Sequence, residues 1–354
     1  MCVAVTSAIA LTGSVTAASG VSAGRADDPK EVFEQVAPAT VQVLGVDRSG
    51  TGVIYDADNG LIITNAHVVA GQSALQVRIE DREPVPVRLM GSDPCEDLAV
   101  VKLVSPQKDL DEVKFGTSGD LGQGDEVTAI GYPAAAGDAG HQKPVLTSGV
   151  VQSPDVAEQG QLSGPNFPSA VQHSATLNPG NSGGPLLNSD AELVGINSFS
   201  YTGSIEGQHY AISSDHAAPI VKELAAGKSK NNPGWGSLLA ISDPDFPSYF
   251  PADDQESADA LQQILRKAHV DGLYVSSVSS NSPASEAKLA EGDIITRLKD
   301  TAVGTVPKVC GILQSAAPGE KLGVDGVFTS EGQFDDGTPY AFGDPWHVDM
   351  TLRK

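Results

Sequence analysis

The sequence predicts a mostly β protein, a sandwich or barrel with a smaller second domain behind it. Three observations carry that prediction. Short β-branched and apolar runs recur between turn residues at a spacing of about ten residues. The composition has 38 Gly and 23 Pro with only 5% aromatics, which suits a turn-rich globular chain. The 354 residues are enough for two domains that each bury a core.

The first segment, Met1 to Ala23, contains no charged residue. It runs through Val3-Ala4-Val5, Ala8-Ile9-Ala10-Leu11 and Val15 to the small-residue end Val21-Ser22-Ala23. An apolar run followed by a cleavage-like site makes residues 1–26 a signal peptide or a weak membrane anchor, and places the chain outside the cytoplasm, secreted or in the cell envelope. The stretch is too diluted by Ser, Thr and Gly to be a strong spanning helix.

Strands follow at Thr40-Val41-Gln42-Val43-Leu44, Gly52-Val53-Ile54-Tyr55, Leu61-Ile62-Ile63-Thr64, Leu75 to Ile79, Leu98 to Leu103, Glu126 to Ile130 and Leu193 to Ile196. This β-rich region ends near Ile220, and the first domain is set at 30–222. Residues 223–234 are polar and carry Gly and Pro, so they read as a linker. The second domain, 235–354, opens with an acidic stretch and a helical pattern near 242–270, in which Leu261, Ile264, Leu265 and Ala268 share one face. Strands resume at Gly272-Leu273-Tyr274-Val275.

Lys plus Arg number 22 against 45 Asp plus Glu, a formal net charge of −23. Such a chain repels nucleic acid and anionic lipid, so no nucleic-acid partner is expected. Once the leader is removed, Cys95 and Cys310 remain. They fall in different predicted domains, and sequence cannot bring their Cα atoms within bonding range. Two separate buried thiols are therefore favoured over a disulfide.

The strongest chemical signal is Asn178-Pro179-Gly180-Asn181-Ser182-Gly183-Gly184-Pro185-Leu186. A serine among glycines suits a tight turn that exposes a hydroxyl, with backbone N–H groups converging on a developing oxyanion. Alone it could be a Gly-rich turn between strands. A serine also needs a base, and the base needs an acid to hold one tautomer. Thr64-Asn65-Ala66-His67-Val68-Val69 supplies a histidine after an apolar strand, and Cys95-Glu96-Asp97-Leu98 supplies an acid before another. The order His, Asp, Ser differs from the Ser, acid, His order of α/β-hydrolases, for which Asp190, His209 and His216 would have to serve and Pro185 would have to open a helix. Asp93 and Glu96 are rival acids, read as solvated loop charges. His141, His173, His209, His216, His269 and His347 show no metal-ligand spacing, so neither metal nor cofactor is expected.

These three segments resemble the triad motifs of the HtrA group of trypsin-like proteases. Thr51-Gly52-Val53-Ile54, Gly131-Tyr132-Pro133 and Thr147-Ser148-Gly149-Val150-Val151 are further matches. The resemblance implies a trypsin-like double β-barrel with His67, Asp97 and Ser182 as catalytic residues, and an oxyanion hole from Gly180 and Ser182 with Asn181. It sets the floor of the primary pocket six residues ahead of the nucleophile, at Thr176, followed by Leu177, with Ile196, Asn197 and Ser198 as further pocket residues. Neither Thr176 nor Leu177 can pair with a buried cation, so cleavage after small or medium aliphatic residues is expected, unless Asp190 or Glu206 reaches the pocket. Ser174 and the segment His209-Tyr210-Ala211-Ile212-Ser213 depart from the family pattern.

The C-terminal region, from Gly272 through Ser282-Pro283-Ala284, Gly292-Asp293-Ile294-Ile295 and Pro318-Gly319-Glu320 to His347–Leu352, is similar to a bacterial PDZ domain, a small α+β unit. The likeness implies capture of peptide C-termini at Ser237-Leu238-Leu239-Ala240. The whole implies a serine endopeptidase acting on unfolded or misfolded proteins, and leaves a homo-oligomer open. The alternative is a proteolytically silent chaperone or peptide-binding protein on the same fold.

Overall fold

The computed structural model describes residues 28–46, 48–133, 143–158, 162–200, 207–229, 231–333 and 337–353. The leader, Cys2, His141 and Glu206 lie outside the described residues. A first helix, α1 (Pro29–Val36), starts where Asp28 accepts the Lys30 N–H and Pro29 takes a position that needs no donor. It buries Val32 and Val36.

Six strands then close a barrel: β1 (Thr40–Leu44), β2 (Ser49–Asp56), β3 (Leu61–Thr64), β4 (Gln76–Ile79), β5 (Val85–Asp93) and β6 (Leu98–Leu103), in the order β1-β2-β3-β6-β5-β4. The short helix α2 (Ala66–Val69) follows β3. A second barrel is formed by β7 (Glu126–Gly131), β8 (Val145–Glu158), β9 (Phe167–His173), β10 (Pro185–Leu187), β11 (Leu193–Ser200) and β12 (His209–Ser213), in the order β10-β11-β12-β9-β8-β7. Helix α3 (Ser214–Ala225) lies where sequence showed only the end of the β region.

Each barrel has its own core, Val41, Val43, Ile54, Ile62 and Val101 in the first, and Val127, Val151, Val171 and Leu186 in the second. A third cluster joins them. Val53, Ile63, Leu98 and Val100 meet Ile130, Leu187, Leu193 and Ile196, capped by Ala217, Val221 and Leu224 of α3. Each fully buried aliphatic side chain there contributes about 1.5–3 kcal/mol, so this seam holds the two barrels in one register and with them the loops on the shared face.

The C-terminal unit contains β13 (Leu238–Ala240), α4 (Gln255–Lys267), β14 (Leu273–Val275), α5 (Pro283–Glu286), β15 (Ile294–Leu298), β16 (Thr301–Ala302), α6 (Val306–Ser315), β17 (Lys321–Val327), β18 (Gly332–Gln333), β19 (Pro339–Tyr340) and β20 (Pro345–Thr351). Its main sheet runs β13-β14-β15-β17-β20, with β13 on an edge, and β18 pairs with β19 separately. No described helix is long and apolar enough to cross a membrane.

The structure corrects three sequence readings. The buried face of α4 is Ala258, Gln262 and Leu265, whereas Ile264 and Ala268 are exposed. Gln262 earns its buried place because its amide donates to the carbonyls of Ile241 (2.9 Å) and Asp243 (2.6 Å). The two thiols expected to stay separate form a disulfide, Cys95–Cys310, with Cα atoms 5.4 Å apart. The stretch read as a linker begins inside α3, and its described part is packed down. Ser92 N–H donates to Ser229 Oγ (3.1 Å), and buried Asn231 donates to Asp93 Oδ2 (2.8 Å).

Candidate active site

Asp97 sits in the turn between β5 and β6 with φ of 50°, a left-handed conformation that Asp tolerates better than most residues. That turn is pinned by the amide of buried Asn65, which donates to Asp97 O (2.8 Å). The carboxylate then faces α2. It accepts the His67 backbone N–H (3.1 Å) and lies 2.9 Å from His67 Nδ1 through either oxygen. Ser198 Oγ donates to Asp97 Oδ2 at 2.6 Å. A buried carboxylate with three donors stays an acceptor, which makes Nδ1 the protonated nitrogen and leaves Nε2 with its lone pair.

Burial alone would push the His67 pKa down. The Asp97 charge and hydrogen bond outweigh it, against a smaller opposing effect from Arg48, so the net shift is upward. The ring keeps 44% of its side-chain surface open, but it opens into a cleft and not onto a free face.

The nucleophile loop is clamped by Thr51 of the first barrel. Thr51 N–H donates to Ser182 O (2.9 Å), its hydroxyl donates to Gly180 O (2.6 Å), and the same hydroxyl accepts the Tyr132 N–H (2.9 Å). Sequence gave Thr51 only as a supporting match. Gly180 has φ of 99° and Gly183 φ of 85°, and a Cβ on Gly183 would stand 2.2 Å from Thr51 O. Glycine is therefore required there on two counts. Among the described residues the N–H groups of Gly180 and Ser182 have no bonded acceptor, whereas that of Asn181 is spent on Asn178 O (2.9 Å). The loop leaves two donors of the expected three. Ser182 Oγ itself donates to Ser198 O (3.0 Å).

His67, Asp97, Ser182 and Ser198 all border one cavity of about 700 Å³. Its opposite wall comes from the C-terminal unit, through Leu238 and Leu239 of β13 and Val306, Val309 and Leu313 of α6. Of the residues expected to form the primary pocket, Ser198 lines this cavity. Leu177 is buried in the second barrel's core, Ile196 in the seam, Asn197 is held by Pro185 O (2.9 Å), and Thr176 is exposed. None of those four borders the cavity, and along β11 the pairing register shifts between Asn197 and Phe199, where simple alternation breaks off. Asp190 lies in the exposed turn between β10 and β11. Among the described residues, the only carboxylate bordering the cavity is Asp97. Neither rival acid contacts His67, but neither is the solvated loop charge expected from sequence: Asp93 is buried and accepts from Asn231, and Glu96 is largely covered and pairs with His216 (2.8 Å).

Near the nucleophile loop lie two histidines, His173, which sequence placed only among those without metal-ligand spacing, and His209, which opens a segment departing from the family pattern. His173 is fully buried; the Ala175 backbone and the Asn197 amide approach its ring without hydrogen bonds of good geometry, and its ring centroid stands 6.0 Å from that of His209. Burial first and His209 second push the His173 pKa down to about 3. His209 is lowered by burial, and its Nδ1 accepts the Leu177 N–H (3.3 Å).

Residues 50–196 match the trypsin-like peptidase domain family, and residues 254–325 match the PDZ domain family. The second match begins after Ser237–Ala240. The chain is 37% identical over 275 residues to Serine protease Do-like HtrA of Bacillus subtilis, covering 76% of this chain and 58% of that protein. It is 34% identical over 276 residues to a probable periplasmic serine endoprotease DegP-like of Hahella chejuensis, covering 77% and 53%. It thus spans between half and two-thirds of the length of these relatives. Among solved structures, HtrA-type protease AlgW with tripeptide superposes with a TM-score of 0.51 at 24% identity, over 91% of this chain and 96% of that one, a likeness of fold. Two closed barrels, a trypsin-like domain match, a PDZ match and these relatives lead to one statement: the chain carries a trypsin-like peptidase domain with a PDZ domain behind it and is similar to HtrA-type serine proteases.

Proposed function

We propose that the chain is an extracytoplasmic serine endopeptidase that hydrolyses unfolded or damaged proteins through an acyl-enzyme, with its PDZ domain binding peptide ends. One observation carries the reading. Ser198, Asp97 and His67 form a hydrogen-bonded line, at 2.6 and 2.9 Å, that ends on the cavity bordered by Ser182.

In the reaction Ser182 Oγ leaves the Ser198 carbonyl by rotation about its Cα–Cβ bond and gives its proton to His67 Nε2 while attacking the substrate carbonyl carbon. Asp97 stabilises the imidazolium that forms. The Gly180 and Ser182 N–H groups receive the oxyanion. His67 then protonates the leaving amine, the C–N bond breaks, and an ester remains on Ser182. Water, deprotonated by His67, releases the acid and restores the hydroxyl. No step needs a metal or cofactor.

Cleavage after small or medium aliphatic residues is supported by the cavity, because Asp97 is already engaged and no second bordering carboxylate is described to compensate a buried cation. The names of the relatives as periplasmic proteins support an extracytoplasmic setting. The PDZ edge strand β13 supports peptide addition at Ser237–Ala240. The net charge of −23 argues against nucleic acid.

A fluorophosphonate probe tests the reading. It should label the chain and not Ser182→Ala, and only the unsubstituted chain should degrade unfolded casein. Equal casein cleavage by Ser182→Ala would end the proposal.

A further inference from the structure

The PDZ unit is held against the triad face in two ways. The first is an internal occupant. Leu162 and Ser163, between β8 and β9, enter the space between β13 and α6, where Leu162 packs against the PDZ core. Leu162 O accepts the Val306 N–H (2.9 Å), and Ser163 Oγ accepts the Ala240 N–H (3.0 Å) while donating to Asp243 Oδ2 (2.6 Å). An outward N–H on an edge strand is what strand addition offers an incoming peptide. Here the chain's own residues take it.

The second is covalent. Cys95 stands two residues before Asp97, and its partner Cys310 lies on α6, the helix that walls the PDZ groove. The bridge joins positions 215 apart in sequence. Both cysteines pack in the apolar core of the C-terminal unit, and beside the bridge Glu96, held by His216 (2.8 Å), is approached by Gln314 of α6 (3.4 Å). Both cysteines are buried, but they border the triad cavity on one side and a second cavity of about 350 Å³ on the other. A small dithiol has a route to the sulfurs.

We propose that Cys95–Cys310 is a redox-sensitive latch, which holds α6 against the Asp97 turn and keeps Leu162 and Ser163 in the PDZ groove until a dithiol reductant opens it. A reductant thiolate attacks one sulfur, the S–S bond breaks, and the departing cysteine thiolate takes a proton. The second thiol of the reductant then displaces the other cysteine. Cys95 and Cys310 end as thiols and the reductant as a disulfide, with two electrons and two protons transferred. The consequence is one of effective concentration. With two tethers, the chain and the bridge, the internal occupant competes at a local concentration of about millimolar or more, and removing one tether lowers it. The effect on cleavage rests on the endopeptidase reading, but the effect on the groove does not.

The experiment uses the full chain carrying Ser182→Ala and a fluorescein-labelled decapeptide ending in a free Val carboxylate, followed by anisotropy. Dithiothreitol should tighten binding by about tenfold, and Cys95→Ser/Cys310→Ser should bind at the reduced level with no response to reductant. If the double variant does not fold, the reduced Ser182→Ala chain alkylated with iodoacetamide takes its place. Affinity that changes less than twofold on reduction, or a response that persists without the cysteines, overturns the latch. Casein cleavage by the chain with Ser182 present should rise several-fold with dithiothreitol. Tighter peptide binding without any cleavage would leave the latch standing and sink the endopeptidase reading, whereas cleavage and binding both indifferent to reductant would do the reverse.

Discussion

The hydroxyl of Ser198 donates to Oδ2 of Asp97 at 2.6 Å, so the acid that orients His67 is itself oriented by a residue from the second barrel. A side chain expected in the substrate pocket thus supports the base.

Ser198→Ala should therefore lower kcat by about tenfold with little change in KM, since a hydrogen bond to a charged group is worth about 1.5–3 kcal/mol and only its differential part reaches the transition state. Ser198→Thr keeps the hydroxyl and should recover most of the rate. A variant that changes only KM would place Ser198 in substrate contact instead.

The base works only when neutral. Because the pKa of His67 is shifted upward by Asp97, the acid limb of kcat/KM should have its midpoint above the ordinary histidine value of about 6.5. Asp97→Asn removes the charge and leaves burial to dominate, so the midpoint should move down while the maximal rate falls. An unshifted limb in Asp97→Asn would show that another group sets it.

Acid stability should depend on the buried histidine behind the nucleophile loop. The unfolded chain protonates such a histidine near the ordinary value of about 6.5, while folded His173 resists down to about 3. Between those values the unfolded state binds more protons, so stability falls as pH falls, by about 2 kcal/mol for this group at pH 5. His209, also lowered, acts in the same direction. His173→Leu should flatten the drop in urea midpoint between pH 7 and pH 5. An equal drop in variant and parent would assign the acid sensitivity elsewhere.

Bond preference is read by a peptide library and mass spectrometry. Cuts should follow Val, Ala or Ile, because Asp97 is the only carboxylate among the described residues that border the cavity, and it is already bound. Dominant cuts after Arg or Lys would require an acid brought in by a part of the chain beyond these residues.

Much of the barrel pair was legible in the sequence. The runs Thr40–Leu44, Leu61–Thr64 and Leu98–Leu103 are strands with those same bounds, because β-branched runs between turn residues have little else to do than pair. Helix α3 was not, since Pro219 breaks its pattern and only burial of Ala217, Val221 and Leu224 against the barrels holds it helical. On α4 the aliphatic count misled, because buried Gln262 satisfies two carbonyls that a leucine would leave unpaired.

The linear sequence by itself supplied His67, Asp97 and Ser182 as candidates, the order in which they occur, and the glycines of the turn around Ser182. Those follow from local chemistry, which a run of a few residues contains. Tertiary structure alone decided that Ser198 serves Asp97, that Thr51 clamps Gly180, that Thr176 and Leu177 stand off the cavity, and that Cys95 reaches Cys310 across 215 positions. The three pairings join elements far apart in the chain, and only the packing of two barrels and the PDZ helix around shared cores brings them within bonding distance.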